Sequence, residues 1–259
     1  MTDYEGLGTP GPHPYLLGLS EARGILDMVR AARALHPELA VTYAIVGHSQ
    51  GGQAALFAAH HQDWTAELDL RGVAAIAPAS SLRTLLVNGA AWPQPDPGFA
   101  FTPLFLTGAI AGDPGIDPAQ VLTDAAYALW PHAEVRCRVD LSKPDSWGGL
   151  TGTNQLRQPA NASTAAFLAQ LDAMHPDVAI TVPIRIVQAA QDPRVRAALT
   201  TALVGQLGVR NGATNVTYQL YPTVSTTAYP EELGYHFGTI DTDTPATTAW
   251  LGERFADDN

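Results

Sequence analysis

Apolar and polar residues in the N-terminal part of the chain follow two different periods. Residues 41–46 are β-branched and aromatic, which is typical of a buried strand, whereas residues 53–59 are rich in strong helix formers. Residues 20–32 carry apolar side chains at helical spacing, and Ser20 stands where a helix N-cap is expected. These patterns predict a helix, then a strand, then a second helix.

The remainder of the chain continues to alternate between strand and helix patterns. Residues 72–78 are apolar on both faces and stop at a proline, which predicts a short parallel strand. Residues 180–188 and 215–221 are further strand runs, separated by a helix around 195–205. Residues 244–255 predict a terminal helix with a proline in its first turn. Alternation of this kind indicates an α/β fold with a mostly parallel sheet.

One long stretch departs from this alternation. Residues 79–177 hold a Pro-rich loop at 92–97 and helical runs at 103–110 and 119–130, but no convincing strand. An insertion into a single α/β domain is therefore expected. The predicted division is an α/β core of residues 1–79 and 178–259 and a helical cap, or lid, of residues 80–177.

Composition agrees with a soluble enzyme and excludes several other classes. The 259 residues, 46% of them hydrophobic, suffice for one sizeable core. A net charge of -11 argues against nucleic acid and anionic membranes, which would repel the chain. No apolar stretch is long enough for an integral membrane segment. The single cysteine, Cys137, excludes an internal disulfide and is expected to be a small buried hydrophobe.

The pentapeptide G-H-S-Q-G at residues 47–51 stands between the predicted strand and the second predicted helix. A G-x-S-x-G sequence in this context forms a nucleophile elbow, in which the serine adopts a strained backbone conformation and flanking Cβ atoms would clash. Gly47 and Gly51 meet this requirement, and Gly52 gives the helix start room to approach the strand. Ser49 is therefore predicted to be a nucleophile.

A serine hydroxyl needs a histidine to take its proton and an acid to orient that histidine. In folds with this elbow the chain order is serine, acid, histidine. Asp192 follows the strand predicted at residues 180–188, where a strand-end loop would present its carboxylate to the site, so it is the predicted acid. Four other aspartates fit less well: Asp172 and Asp177, expected to be solvated, and Asp241 and Asp243, which follow the candidate histidine.

His236 is the predicted base, because it lies between the last predicted strand and the terminal helix, in a loop that can reach the serine. His48 is expected to point away from the Ser49 hydroxyl, since neighbouring residues on a tight turn diverge. His60 and His61 are expected near the end of a helix, where positive charge suits the dipole. No H-E-x-x-H sequence occurs, and neither a metal nor a nucleotide cofactor is indicated.

Several motifs together resemble one family. They are D-Y-E-G-L-G at residues 3–8, Tyr15, S-E-A-R at residues 20–23 and G-H-S-Q-G-G at residues 47–52. With them, most of the chain resembles the secretory lipase family of α/β-hydrolases, typified by Candida antarctica lipase A. The resemblance implies an α/β-hydrolase fold with a helical lid, and Asp192 and His236 fit the acid and the base of the family.

The resemblance also implies an oxyanion hole. In the family, the aspartate of the D-Y-E-G-like segment contributes to it together with the backbone N–H after the nucleophile. Carried over, these groups are Asp3 and the backbone N–H of Gln50. Losing one such donor typically costs about 100- to 1,000-fold in rate. An aspartate donates only when protonated, so the main chain of Asp3 is an alternative donor, and a frayed terminal residue is the other interpretation of Asp3.

Members of the family carry a longer segment before these motifs, with a signal peptide and the first strands of the sheet. In this chain the predicted nucleophile strand is therefore expected to have an unpaired hydrophobic edge. Three explanations remain open: a truncated gene model, a second subunit of a homo-oligomer over the edge, or a minimal form with the N-terminal arm along it. The family is usually secreted, but residues 1–5 do not resemble a signal peptide, so the location stays unassigned.

Together the resemblance and the three candidate residues predict a serine hydrolase that cleaves small-molecule carboxylic esters of short to medium acyl chain. A thioesterase, an amidase and an acyltransferase would use the same residues, and a non-catalytic binding protein with a hydrolase fold is an alternative from another class. Apolar residues of the insertion are candidates for an acyl pocket or for the core of the cap itself: Trp92, Phe99, Phe101, Leu104, Phe105, Leu106 and Ile110.

Overall fold

The computed structural model describes residues 2–229 and 231–256, with residues 231 and 232 described by their backbone alone. Its strands and α-helices follow in the order α1 (Gly18–Leu35), β1 (Thr42–His48), α2 (Gln50–His60), β2 (Asp69–Ile76), α3 (Leu82–Ala90), α4 (Phe101–Gly112), α5 (Pro118–Val121), α6 (Asp124–Ala128), α7 (His132–Val135), α8 (Arg138–Leu141), α9 (Ala162–Ala173), β3 (Ile184–Ala189), α10 (Ala197–Asn211), β4 (Val216–Tyr221) and α11 (Glu231–Arg254). Short 3-10 helices lie at Gln62–Thr65, Pro97–Ala100, Trp147–Gly149, Gly152–Asn154 and Ala213–Asn215.

The described residues form two compact units. Unit 1 holds the described parts of residues 1–3, 18–80 and 176–259, and unit 2 holds residues 4–17 and 81–175. All four strands belong to unit 1, whereas α3 to α9 belong to unit 2.

Unit 1 is built on a four-stranded parallel sheet with the strand order β1-β2-β3-β4. Ile186 of β3, for example, lies opposite Tyr218 of β4. β1 forms one end of the sheet, and no strand of the described chain pairs with its outer side. The four strands predicted from the sequence are confirmed, but β3 begins at Ile184 because Pro183 before it has no N–H for the ladder.

The main core of unit 1 lies where the sheet packs against α1, α2 and α10. Ile186 of β3 shares one buried cluster with Leu26 of α1 and Leu56 of α2. Burial of each such side chain contributes about 1.5–3 kcal/mol. The alternate residue Arg185 donates through Nε to Thr247 Oγ1 of α11 at 3.0 Å, as the two-residue period of a strand requires. Helices therefore cover both faces of β3.

The terminal helix differs from its prediction. α11 spans Glu231–Arg254, so Pro245 lies inside the helix and not in the first turn of a helix over residues 244–255. A proline here removes the hydrogen bond to the carbonyl four residues earlier, and that residue, Asp241, is exposed and open to water. None of the described helices, the 24-residue α11 included, is long and apolar enough to cross a membrane.

Unit 2 consists of helices with two isolated β-bridges, Pro95 with Thr151 and Leu122 with Leu156. Phe99, Phe105 and Leu106 are buried within it, which favours a core role for these three residues, whereas the side chain of Trp92 is exposed. Other large side chains fill the same interior: Trp147, Phe167, Leu141, Leu171 and Met174.

The arm of residues 4–17 packs on α4 in unit 2, although the sequence-based division placed it in the core. The ring of Tyr15 stacks on Phe105 with centroids 6.2 Å apart. A Cβ at Gly108 would lie 1.9 Å from the Tyr15 carbonyl oxygen, so only glycine permits this close approach.

Cys137 is exposed, which corrects the expectation of a buried hydrophobe. Its backbone caps the four-residue helix α8 at the surface of unit 2, and this position leaves the thiol outside the interior.

Candidate active site

Ser49 occupies a strained turn between β1 and α2. Its backbone has φ 58° and ψ −117°, a conformation that residues with a Cβ rarely adopt. The neighbouring strand fixes the turn, because the Ser49 N–H donates to the Ile76 carbonyl at 2.9 Å and the Ala79 N–H donates to the Ser49 carbonyl at 3.1 Å. This is the geometry of a nucleophile elbow, which presents the serine side chain at the end of the strand.

Two glycines make the turn possible. A Cβ on Gly47 would lie 1.9 Å from the Gly51 carbonyl oxygen, a distance that no packing adjustment of side chains can relieve. A Cβ on Gly52 would lie 3.0 Å from Pro78 Cα, so this position is also tight. The close approach of α2 to the end of β1 therefore depends on the glycines of the motif.

Asp192 lies in the turn after β3 and is held by that turn. Its Oδ1 accepts the backbone N–H groups of Arg194 at 2.8 Å and Val195 at 3.0 Å. The residue is 4% exposed, so its orientation is set by these bonds and not by solvent. The other carboxylate oxygen, Oδ2, is 2.7 Å from Nδ1 of His236.

His236 lies inside α11 and not in a loop, which corrects its predicted setting. It is 2% exposed, and its Nδ1 donates to Asp192 because an ionised carboxylate only accepts. A neutral imidazole with its proton on Nδ1 leaves Nε2 as a bare acceptor. The structure thus joins the predicted acid to the predicted base in the arrangement that prepares a histidine to take a proton.

Ser49 is connected to this pair through its neighbour His48. The His48 ring lies 4.4 Å from the His236 ring, centroid to centroid, and its Nε2 is 3.1 Å from the His236 carbonyl oxygen. No hydrogen bond among the described residues joins Ser49 Oγ to His236. In ligand-free hydrolases this bond is often long and tightens only when substrate binds.

The two oxyanion-hole candidates have different settings. Gln50 is the first residue of α2, the helix end at which backbone N–H groups favour negative charge. Asp3 is exposed, and its carbonyl accepts a hydrogen bond from Thr2 Oγ1 at 3.0 Å. No described contact joins Asp3 to Ser49 or Gln50, so its role stays a prediction.

Several solved structures are similar to this chain, and three of them come from different organisms. The esterase LipA of Xanthomonas oryzae, described as rice cell wall degrading, has a TM-score of 0.71 at 18% identity over 91% of this chain and 65% of its own. Lipase A of Candida antarctica in its closed state has 0.66 at 19% identity, over 92% and 56%. A putative hydrolase of Legionella pneumophila has 0.58 at 15% identity, over 82% and 59%.

The chain has the α/β-hydrolase fold. The predicted fold class and the resemblance to lipases are therefore confirmed at the level of structure. At these sequence identities the likeness shows the fold alone. The chain spans less than two thirds of the length of LipA and of lipase A. No protein-family model matches the sequence, and no curated protein matches it.

Three residues that support the candidate site of this α/β-hydrolase fold were not found from the sequence. Gln188, fully buried at the end of β3, donates through Nε2 to the carbonyl of Val195 at 2.9 Å and thereby fixes the turn that carries Asp192. Glu21 of α1, also fully buried, accepts from Gln50 Nε2 at 2.6 Å. A polar residue in an otherwise apolar strand end was the available signal for Gln188, and the S-E-A-R motif was the signal for Glu21.

His48 is the third, and the sequence indicates only that it points away from the Ser49 hydroxyl. Burial, and secondly the neighbouring His236, lower its pKa from 6.5 to about 4, so the ring is neutral at pH 7. The position of the His48 ring against His236 is compatible with the expectation that His48 points away from the Ser49 hydroxyl. Its contact with His236 could not be inferred, because 188 residues separate the two in the chain.

Among the described residues, no group of three or more His, Cys, Asp and Glu side chains is arranged to hold a metal ion.

Proposed function

We propose that this chain is a serine carboxylic-ester hydrolase in which Ser49 is the nucleophile, His236 the general base and Asp192 the residue that orients the base. The observation that carries the proposal is the buried Asp192–His236 hydrogen bond of 2.7 Å beside a serine with φ 58°. A histidine with only a structural role does not require a strained serine turn nearby. A strained backbone at a residue other than glycine commonly marks a functional position.

In the proposed reaction, Ser49 Oγ attacks the ester carbonyl carbon and its proton passes to Nε2 of His236. Because Nδ1 already donates to Asp192, the imidazolium that forms is stabilised by the carboxylate without transfer of a second proton. The negative oxygen of the tetrahedral intermediate would accept the Gln50 backbone N–H, with Asp3 as the second candidate.

Collapse of that intermediate breaks the bond to the leaving alcohol, which takes the proton from His236 and leaves an acyl group on Ser49. A water molecule then attacks the acyl-enzyme, with His236 again as the base, and releases the acid. The Asp192–His236 hydrogen bond serves both halves of the cycle, since the imidazole alternates between neutral and charged forms.

The proposed substrate is a small-molecule ester with a short to medium acyl chain. The proteins of similar structure support ester chemistry, since they are a cell-wall-degrading esterase and a lipase. A homo-oligomer in which a second copy covers the outer side of β1 also remains a prediction.

Labelling with a fluorophosphonate probe tests the nucleophile directly, because the probe reacts only with an activated serine. The wild-type chain should be labelled once, and tandem mass spectrometry should place the adduct on Ser49. Ser49→Ala should abolish labelling, whereas Ser163→Ala, which changes a half-buried serine of unit 2, should not. A folded wild-type chain that takes no label would favour the non-catalytic alternative.

A panel of p-nitrophenyl esters from acetate to palmitate tests the acyl range. The proposal expects the highest kcat/KM between the acetate and the octanoate. A maximum at palmitate would replace the short-chain esterase by a long-chain lipase. Hydrolysis of acyl thioesters of the same chain lengths, with none of the p-nitrophenyl esters hydrolysed, would replace it by a thioesterase.

A further inference from the structure

The contact between His48 and His236 joins the two elements that carry the proposed nucleophile and base. His48 is the last residue of β1, directly before Ser49, and His236 lies in α11. His48 Nε2 is 3.1 Å from the His236 carbonyl oxygen, and the ring centroids are 4.4 Å apart with the planes inclined by 50°. This bond is to the main chain of the base and involves neither of its ring nitrogens.

The direction of this hydrogen bond follows from its acceptor. A carbonyl oxygen only accepts, so His48 must carry a proton on Nε2. Its lowered pKa of about 4 keeps the ring neutral at pH 7, with the lone pair on Nδ1. His48 is thus a neutral donor, and it adds no positive charge beside an imidazole that must itself become positive during the reaction.

His236 has contacts at three different points. Asp192 holds Nδ1 at 2.7 Å, His48 holds the carbonyl oxygen, and the Phe237 ring meets the imidazole edge to face at 5.2 Å. The Asp192 bond alone fixes one ring atom and still permits the ring to turn about it. Fixing the backbone of the same residue restricts that freedom, because the positions of the main chain and of Nδ1 together limit where Nε2 can lie.

Aromatic residues support the ring of His48. Phe237 packs on the His48 ring at 5.1 Å and is itself stacked on Tyr229 at 5.5 Å. The ring of His48 is therefore supported on a second side by an aromatic residue, and its donor atom has a defined position. Loss of the donor would release the start of α11 from the end of β1.

We propose that His48 is a positioning residue for His236: its Nε2–H clamps the His236 carbonyl and thereby holds the base at the elbow. The proposal rests on the proposed function, in which His236 is the general base. Misplacing a catalytic group by about 1 Å can cost on the order of 100-fold in rate, so a clamp of this kind has a measurable effect.

Two substitutions of His48 distinguish the effect of its N–H donor from the effect of its ring. His48→Gln retains an N–H donor at a position close to that of Nε2, whereas His48→Phe retains a ring of similar size without a donor. The matched control is His60→Phe, because His60 Nδ1 makes the same type of bond, to the Ala179 carbonyl at 2.7 Å, at the exposed end of α2.

Steady-state kinetics should show kcat about 10- to 100-fold lower in His48→Phe, with KM within about twofold of wild type. His48→Gln should recover kcat to within a few fold, and His60→Phe should match wild type. Equal kcat in wild type and a folded His48→Phe chain would overturn the proposal, and so would an equal loss in His48→Gln and His48→Phe.

A proton NMR measurement tests the clamp without activity. The Nδ1–H of His236, bonded to Asp192, should give a low-field resonance in wild type and His48→Gln that shifts or broadens in His48→Phe. An unchanged resonance in His48→Phe would contradict the clamp. Should His48→Phe fail to fold by circular dichroism, His48→Leu replaces it. A wild-type chain that shows the resonance but neither hydrolyses esters nor reacts with the fluorophosphonate would contradict the proposed function. The comparison of the resonance between wild type, His48→Gln and His48→Phe would still decide whether His48 positions His236.

Discussion

Asp192 Oδ2 accepts the Nδ1–H of His236 at 2.7 Å, although 44 residues separate the two in the chain. Both side chains are almost completely buried, and two backbone N–H groups hold the other carboxylate oxygen. The pair therefore leaves Nε2, and not Nδ1, as the imidazole nitrogen that can accept a proton.

Asp192→Asn tests this arrangement. An amide at this position favours the wrong imidazole tautomer and cannot stabilise the imidazolium, so kcat should fall by about 10³- to 10⁴-fold. Asp172→Asn is the matched control, because Asp172 is exposed and paired with Arg83 in unit 2. Ester hydrolysis at pH 8 measures both, and a loss below about tenfold in Asp192→Asn would contradict the assigned role.

Gly47→Ala should destabilise the elbow. The added Cβ would lie 1.9 Å from a backbone carbonyl oxygen, which forces the start of α2 away from β1 and costs about 1–3 kcal/mol or more. Gly205→Ala in α10 is the control, since its Cβ would meet no atom within 4 Å and alanine favours a helix by about 0.5–1 kcal/mol. In urea unfolding, the change in unfolding free energy should have opposite signs for the two variants. An unchanged unfolding free energy in Gly47→Ala would be inconsistent with this geometry.

Arg185 of β3 and Asp243 of α11 form a buried ion pair of 2.5 Å, to which the Tyr221 hydroxyl also donates at 2.9 Å. Asp243→Leu leaves the guanidinium buried without its partner and should cost about 3–5 kcal/mol of unfolding free energy. The double variant Arg185→Met/Asp243→Leu should be more stable than Asp243→Leu alone. A double-mutant cycle in urea measures the coupling, and strict additivity would show that the pair does not act as a unit.

The lowered pKa of His48 predicts a pH-dependent stability. The unfolded chain binds a proton near pH 6.5 and the folded chain only near pH 4, so His48 favours folding above pH 6.5 and loses this contribution as the pH falls towards 4. The charged and titratable groups that act on it are His236, Asp192 and Arg194.

His48→Gln removes this titration. The decrease in unfolding free energy between pH 7 and pH 4.5 should be smaller in His48→Gln than in wild type, by at most about 2–3 kcal/mol. Urea titrations of both chains at the two pH values give the difference. An identical decrease in both chains would mean that His48 titrates normally in the folded state.

The strands, the turn at Ser49 and the choice of Asp192 and His236, which the structure brings together, could be predicted because their signals lie along the chain. A β-branched run followed by G-H-S-Q-G defines β1 and the turn at Ser49, and the order of residues along the chain then indicates Asp192 and His236. These assignments need no knowledge of which segments meet in space.

The start of α11 could not be predicted in this way. Its first half contains Gly234, Gly238 and two threonines, which have low helix propensity and favour a loop. Tertiary packing explains them, since a Cβ on Gly238 would lie 1.9 Å from the Ser225 carbonyl oxygen. The contact between His48 and His236 was inaccessible for a similar reason, because it joins residues that only the folded chain brings together.

Hydrolysis of p-nitrophenyl butyrate shows whether Ser49 is a nucleophile activated by His236 and Asp192. Pre-steady-state mixing of the folded wild-type chain should give a burst of p-nitrophenol stoichiometric with enzyme, followed by slower turnover, because an acyl-enzyme forms first. Ser49→Ala, shown by circular dichroism to be folded, should give neither burst nor turnover. Equal hydrolysis by the two chains, or no hydrolysis by the folded wild type, would contradict the account.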